Sequence, residues 1–126
     1  MPEARRFTAD PTSVAAARAW LVLQLDQLTP GALTDDAQLC LSELASNAVN
    51  HGGSGFEVEV DHLDDRLRIT VSDSSDGQPI LRSVDPRSTS GRGLLIVDAI
   101  ALQWGVTSLE PTGKSVWCEL DLPRPG

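Results

Sequence analysis

One face of a predicted helix carries the side chains best able to do chemistry. In residues 39–53 helical spacing places four polar side chains on that face, and these are Glu43, Asn47, Asn50 and His51. A carboxylate can accept a proton, and an amide oxygen can bind a cation. Asparagine is a mediocre helix former, so helix propensity does not explain two of them beside a glutamate. A solvated helix face is the plain alternative.

Two glycine-bearing clusters further along the chain weaken that alternative. The first follows a predicted strand and reads Asp73-Ser74-Ser75-Asp76-Gly77. The second precedes a predicted helix and reads Gly91-Arg92-Gly93-Leu94. Each cluster alone is short enough to occur by chance, and a turn or a helix entry would explain it. Their order and their context after a strand and before a helix make the set informative.

Two helices are predicted before the first pair of strands. The first starts at the capping sequence Asp10-Pro11-Thr12-Ser13 and stops at Thr29-Pro30-Gly31. The second has Thr34 as its predicted cap, with Asp35 and Asp36 in its first turn, and it carries the polar face as far as Gly52. Residues 4–9 are predicted as a short edge strand.

The apolar period then changes from 3.6 to 2, which predicts an antiparallel hairpin over residues 56–61 and 66–71. A turn at residues 62–65 would place Asp61 opposite Arg66 and Glu59 opposite Arg68. Because one face of the hairpin is apolar and the other polar, we expect the sheet to be covered on one side only.

The rest of the chain predicts a loop, a helix and a second hairpin. Residues 72–93 are rich in glycine, proline and serine, and a loop of that length is usually functional or mobile. A third helix is expected directly after Gly93, and two strands follow with a turn at residues 110–113. Lys114, beside that turn, is expected at the surface. The predicted class is α+β, with an antiparallel sheet covered on one face by helices.

The length and the net charge of the chain limit the classes of function that we expect. The 126 residues are predicted to form one domain, residues 1–126, and the net charge of −8 repels phosphate backbones, so no direct nucleic-acid binding is expected. No apolar stretch is long enough for a membrane span, and the absence of a signal segment favours a cytoplasmic protein. Cys40 and Cys118 lack metal-binding spacing and are predicted to be reduced core residues.

Taken together, the three clusters resemble the motifs of the GHKL superfamily, the ATP-binding fold of gyrase, histidine kinases, mismatch-repair ATPases and a heat-shock chaperone. The resemblance implies a two-layer sandwich, a mostly antiparallel sheet covered on one face by three helices. Within the superfamily the chain is most similar to bacterial anti-sigma factor serine/threonine-protein kinases. The segments ELASNAVNHG, GRGLLIVDAIALQWGV and GKSVWCELDLP carry that similarity.

The resemblance implies a role for each motif residue. Glu43 would accept the proton of an attacking hydroxyl, and Asn47 would bind Mg²⁺ beside the nucleotide. Asp73 would accept a hydrogen bond from the adenine amino group. The remaining residues that would bind ATP are Asn50, Gly77, Gly91, Arg92, Gly93 and Leu94. Ser75 departs from the family, because a glycine is expected at its position.

The implied function is that of an ATP-binding anti-sigma factor. Such a protein sequesters a sigma factor and phosphorylates a serine of an anti-anti-sigma (STAS-type) partner, with ATP and Mg²⁺ as cofactors. Relatives of this type often form homodimers. The alternative is a non-catalytic module of the same fold that binds proteins and holds ATP weakly or not at all. A small ATPase is a third interpretation.

Overall fold

The structure, a computed structural model, describes residues 3–28, 33–52, 55–63, 65–73, 89–108 and 113–121. The elements in that part of the chain are, in order, β1 (Glu3–Phe7), α1 (Thr12–Leu28), α2 (Leu33–Gly52), β2 (Phe56–His62), β3 (Arg66–Asp73), α3 (Thr89–Ile100), β4 (Gln103–Ser108) and β5 (Lys114–Asp121). The loop predicted over residues 72–93 was wrong at both ends, because residues 72–73 belong to β3 and residues 89–93 to α3, and residues 74–88 lie outside the described residues.

The strands form one antiparallel sheet in the order β1-β2-β3-β5-β4. The three helices lie over one face: α2 packs on β2, β3 and β5, while α1 and α3 flank α2. Alternate residues of the central strands point into this layer, and the largest of them that are fully buried are Phe56, Val58, Leu67, Ile69 and Leu120. The predicted α+β two-layer architecture is therefore confirmed, as is the edge strand β1.

Helix α1 begins where its sequence predicts. The backbone N–H of Thr12 donates to Oδ1 of Asp10 at 2.9 Å, which satisfies an amide that the helix cannot pair. That hydrogen bond also lowers the pKa of the Asp10 carboxyl. One apolar stripe, formed by Ala17, Leu21 and Leu25, is fully buried against the sheet and α2.

Helix α2 buries most of the apolar face that its spacing predicts. The buried residues are Ala37, Cys40, Leu41, Leu44, Ala45 and Ala48. Asp35 and Asp36 lie in the first turn, as predicted, although the helix already begins at Leu33. Cys40 and Cys118 are free and buried, on α2 and β5, so both are reduced core residues in this structure.

The predicted register of the first hairpin was wrong by two residues. Asp61 pairs with Arg68 rather than with Arg66, because the turn closes further along the chain, where the N–H of Leu63 donates to the oxygen of Arg66 at 2.9 Å. A shift of two residues keeps every side chain on its predicted face. On its other side β3 pairs with β5, where Arg66 and Arg68 meet a different acid.

That acid is Glu119, on the face of the sheet opposite the helices. Its side chain is only 1% exposed, and its carboxylate accepts hydrogen bonds from Arg66 at 2.9 Å, Arg68 at 2.8 Å and Gln103 at 2.6 Å. Burial raises the pKa of Glu119, but the hydrogen bonds from Gln103, Arg66 and Arg68 outweigh it and lower the pKa to about 2. The carboxylate thus joins β3, β4 and β5.

The lowered pKa of Glu119 predicts a loss of stability in acid. A carboxyl whose pKa falls on folding stabilises the native state fully above its unfolded pKa, near 4.5, and this contribution is lost as the pH falls towards 2. At pH 7 we expect Glu119→Gln to lower the free energy of unfolding by about 1–3 kcal/mol. Urea titrations should show the difference from wild type shrinking between these pH values.

Glu59→Gln is the matched control for that experiment. It removes the same charge from β2, where Glu59 pairs with Thr70 rather than with an arginine. Its effect on unfolding should be small at pH 7. A constant difference between wild type and Glu119→Gln from pH 7 to pH 2 would contradict the lowered pKa.

Candidate functional site

Asn47 is the first unusual side chain of the predicted polar face. It is only 3% exposed, and its Nδ2 has no hydrogen-bond partner among the described residues. A buried polar group without a partner costs free energy, and such a group needs an explanation in a native structure. A solvated helix face is therefore the wrong interpretation for Asn47, and its Nδ2 could donate a hydrogen bond to a bound polar group.

The chain connections bring Asn47 to one end of the sheet. Gly52 ends α2, Phe56 begins β2 shortly after, and Phe56 pairs with Asp73 at the end of β3. Asp73 in turn pairs with Lys114, the first residue of β5. Asn47 lies five residues before the helix end, about 7–8 Å along the helix axis. The buried amide therefore lies towards the sheet edge that holds Asp73 and Lys114.

Asp73 and Lys114 form an ion pair on the helix-covered face. Their side chains are 2% and 3% exposed, and Nζ of Lys114 lies 3.4 Å from each carboxylate oxygen of Asp73. The prediction of a surface lysine was wrong. The strand period was the signal that could have found it, because Lys114 has the same parity as Val116, Cys118 and Leu120, which are all buried.

A glycine fixes the entry of Lys114 into β5. Gly113 has a φ of 108°, in the left-handed region that side chains other than glycine rarely adopt. Strand β5 begins at the next residue, with Lys114 paired to Asp73 on one side and to Ser108 of β4 on the other. The position of Lys114 is therefore set by backbone on both sides as well as by charge.

Glu43 lies one helical turn before Asn47 and is half-buried. It borders a groove of about 360 Å³ between α1 and α2, which is also lined by Arg18, Gln38, Leu39 and Ser42. Burial raises the pKa of the Glu43 carboxyl. A carboxylate with a raised pKa is a stronger base, so Glu43 is suited to accept a proton from a group that enters the groove.

The predicted phosphate cluster lies inside a helix rather than before it. Helix α3 begins at Thr89, so Gly91, Arg92, Gly93 and Leu94 belong to its first turns, and the prediction of a start after Gly93 was wrong. Treating glycine as a helix breaker overlooked the capping-type residues Thr89 and Ser90 just before it. The N–H groups of Gly91 and Arg92 are among the first four of the helix, which have no partner within it.

The contact that follows the C-terminal end of α3 indicates how far along β5 the first turn of this helix can lie. After α3 the N–H of Leu102 donates to the oxygen of Glu119 at 2.8 Å, at the opposite end of β5 from Lys114. A helix of 12 residues spans about 18 Å, and the strand from Lys114 to Glu119 about 17 Å. Helix α3 is thus long enough to bring its first turn to the Asp73 edge.

The remaining predicted site residues are only partly placed. Asn50 lies in the last turns of α2, but its side chain is outside the described residues, as are those of Arg92 and Leu94. Gly77 lies in residues 74–88 and is also outside them, so its predicted role stays a prediction. In the described part of the chain no cluster of three or more His, Cys, Asp or Glu side chains could hold a metal ion. No helix there is long and apolar enough to cross a membrane.

The ion pair predicts that Asp73→Asn destabilises the protein even without a ligand. The substitution would leave the Lys114 ammonium buried without its carboxylate, which typically costs about 3–5 kcal/mol. Adding Lys114→Met removes the stranded charge, so the double variant should recover much of the lost free energy of unfolding. Urea denaturation of both variants measures this. An Asp73→Asn variant within about 0.5 kcal/mol of wild type would mean that the pair is not buried in solution.

Comparison with known proteins identifies the family. No match is found among curated proteins. Among solved structures the chain is similar to the Acinetobacter baumannii histidine kinase AdeS, with a TM-score of 0.59, 14% identity, and coverage of 97% of this chain and 68% of that one. That likeness shows the fold. The sequence profile of the histidine kinase-like ATPase domain matches residues 7–119, nearly the whole chain. The chain therefore belongs to the histidine kinase-like ATPase domain family.

Proposed function

We propose that this chain is an ATP-binding anti-sigma factor that sequesters a sigma factor and phosphorylates a serine of an anti-anti-sigma (STAS-type) partner. Domains of this family bind ATP, usually with Mg²⁺. The observation that carries the proposal is the buried Nδ2 of Asn47, which has no hydrogen-bond partner among the described residues. The finer assignment rests on the sequence resemblance of residues 43–52, 91–106 and 113–123 to the anti-sigma factor kinases.

The described residues suit ATP and Mg²⁺ chemically. A side-chain amide offers one oxygen acceptor and two N–H donors, so Asn47 can bind Mg²⁺ through oxygen and a phosphate through Nδ2. The free N–H groups in the first turn of α3 favour a phosphate as well. Asp73 offers carboxylate oxygens to the amino group of adenine. Bound Mg²⁺ would neutralise charge on the phosphates.

Glu43 is the proposed catalytic base. The groove between α1 and α2 opens beside it, so a serine of a partner protein that enters this groove could approach Glu43. Glu43 would accept the proton of that serine hydroxyl as the oxygen attacks phosphorus. The raised pKa of the Glu43 carboxyl supports this role, because a carboxylate with a higher pKa is a stronger base.

One observation favours the alternative of a non-catalytic binding module. The Asp73 carboxylate is already engaged by Lys114, so a nucleotide base has to share it rather than meet it free. A site with that competition would bind ATP more weakly than one with an unpaired acid. The alternative protein would act through its contacts with partners alone.

Mg²⁺–ATP should stabilise the folded chain. A ligand present at about 100 times its Kd adds roughly 2.7 kcal/mol to the free energy of unfolding. Thermal unfolding with millimolar Mg²⁺–ATP, and calorimetric titration, measure this directly, with ATP plus a chelator as the control. No stabilisation and no heat of binding would favour the alternative module. Transfer of labelled phosphate to a STAS-type protein then tests the kinase activity.

Glu43→Ala and Asn47→Ala should separate catalysis from binding. Glu43→Ala is expected to slow phosphotransfer by about 10²–10⁴-fold while the Kd for nucleotide changes only a few-fold. Asn47→Ala should weaken the Mg²⁺-dependent part of binding and abolish transfer. Ser42→Ala is the matched control, because Ser42 lines the same groove but its hydroxyl donates to the Gln38 carbonyl within α2. If Glu43→Ala loses nucleotide as severely as Asn47→Ala, the assigned roles are wrong.

A further inference from the structure

Lys114 is the only lysine in the 126-residue sequence, and it is buried. All other cationic side chains of the chain, apart from its two histidines, are arginines. A buried ammonium must be compensated by a partner, and well-packed apolar residues often stabilise a fold equally well. Stability alone therefore gives no reason to place a lysine among Val116, Cys118 and Leu120 on the covered face of β5.

The contacts within the pair are also long for a salt bridge. Charge-assisted hydrogen bonds between nitrogen and carboxylate oxygen are typically about 2.7–2.9 Å long. Nζ of Lys114 instead lies 3.4 Å from both Asp73 oxygens, at equal distance from each. The Arg66 and Gln103 contacts to Glu119, at 2.9 and 2.6 Å, show the shorter distances on the other face of the same strand.

The pair presents a donor and an acceptor side by side. Cross-strand pairing holds Asp73 and Lys114 opposite each other, and Gly113, with its left-handed φ, directly precedes β5. Both side chains lie on the face that α2 covers, and α2 carries Asn47, whose buried Nδ2 has no partner among the described residues. The adenine ring carries a complementary pair on adjacent atoms, the acceptor N1 and the donor 6-amino group.

We propose that Lys114 reads the nucleotide base, donating a hydrogen bond to N1 of adenine while Asp73 accepts one from the 6-amino group. This inference rests on the ATP site proposed above and adds a specificity-determining residue to it. The carboxylate holds the ammonium in place before the base arrives, so the donor is already oriented. Lys114 is assigned to the adenine ring rather than to the phosphates because its partner, Asp73, is the carboxylate proposed to bind adenine.

Affinity for ATP and for 1-deaza-ATP tests the assignment, because the analogue replaces N1 with a C–H group. Wild type should prefer ATP by about tenfold, the value of one hydrogen bond to a charged donor. Lys114→Met should reduce that preference to less than about twofold, since it removes the donor. Arg5→Met is the matched control: it removes one positive charge from an exposed position of β1 and should keep the wild-type ratio.

The single lysine allows a second measurement on the wild-type chain, which stays informative if Lys114→Met fails to fold. Selective ¹⁵N-lysine labelling gives one side-chain Nζ signal, and ATP should shift it more than 1-deaza-ATP does. Equal affinity for the two nucleotides with equal Nζ shifts, or an unchanged preference in Lys114→Met, would overturn the role of Lys114. If wild type binds neither nucleotide, the proposed ATP site itself fails, which is a distinguishable result.

Discussion

The pairing of β5 with β3 is the constraint on which the rest of the structure depends. Two ion pairs require the same register from opposite faces of the sheet: Asp73 with Lys114 under the helices, and Arg68 with Glu119 on the open face. A slip of one residue would turn Lys114 out of the covered layer and drive Glu119 into the apolar core. Because unpaired buried charges are strongly destabilising, the alternative registers are disfavoured.

This register also places the polar part of the covered face. Along β3 and β5 that face is apolar until Asp73 and Lys114, and the same layer holds Asn47, whose Nδ2 has no partner among the described residues. Natural sequences follow the rules of core packing except at functional sites, where polar groups are kept despite their cost. The position of these exceptions, at one end of an otherwise apolar layer, is an argument for a ligand that does not depend on any motif.

Hydrophobic periodicity was sufficient to predict the helices and strands. It did not predict features that depend on several strands together or on where a helix begins. The alternation in residues 56–61 and 66–71 gave the correct faces, but the register followed from charge pairs within two strands and ignored Glu119 on a third. Lys114 was misplaced because the neighbouring turn was weighted above the alternation of β5. The missing partner of Asn47 could not be predicted, since it depends on how α2 packs on the sheet.

Strand β5 makes polar contacts on both of its faces. On the open face, Glu119 joins β5 to β3 through Arg66 and Arg68 and to β4 through Gln103. On the covered face, the same strand begins with Lys114 opposite Asp73. A strand anchored on both sides cannot shift without separating a buried pair, so the donor and acceptor at its first residue keep their spacing. The network around Glu119 therefore helps to hold β5, the strand that carries Lys114, in register with β3.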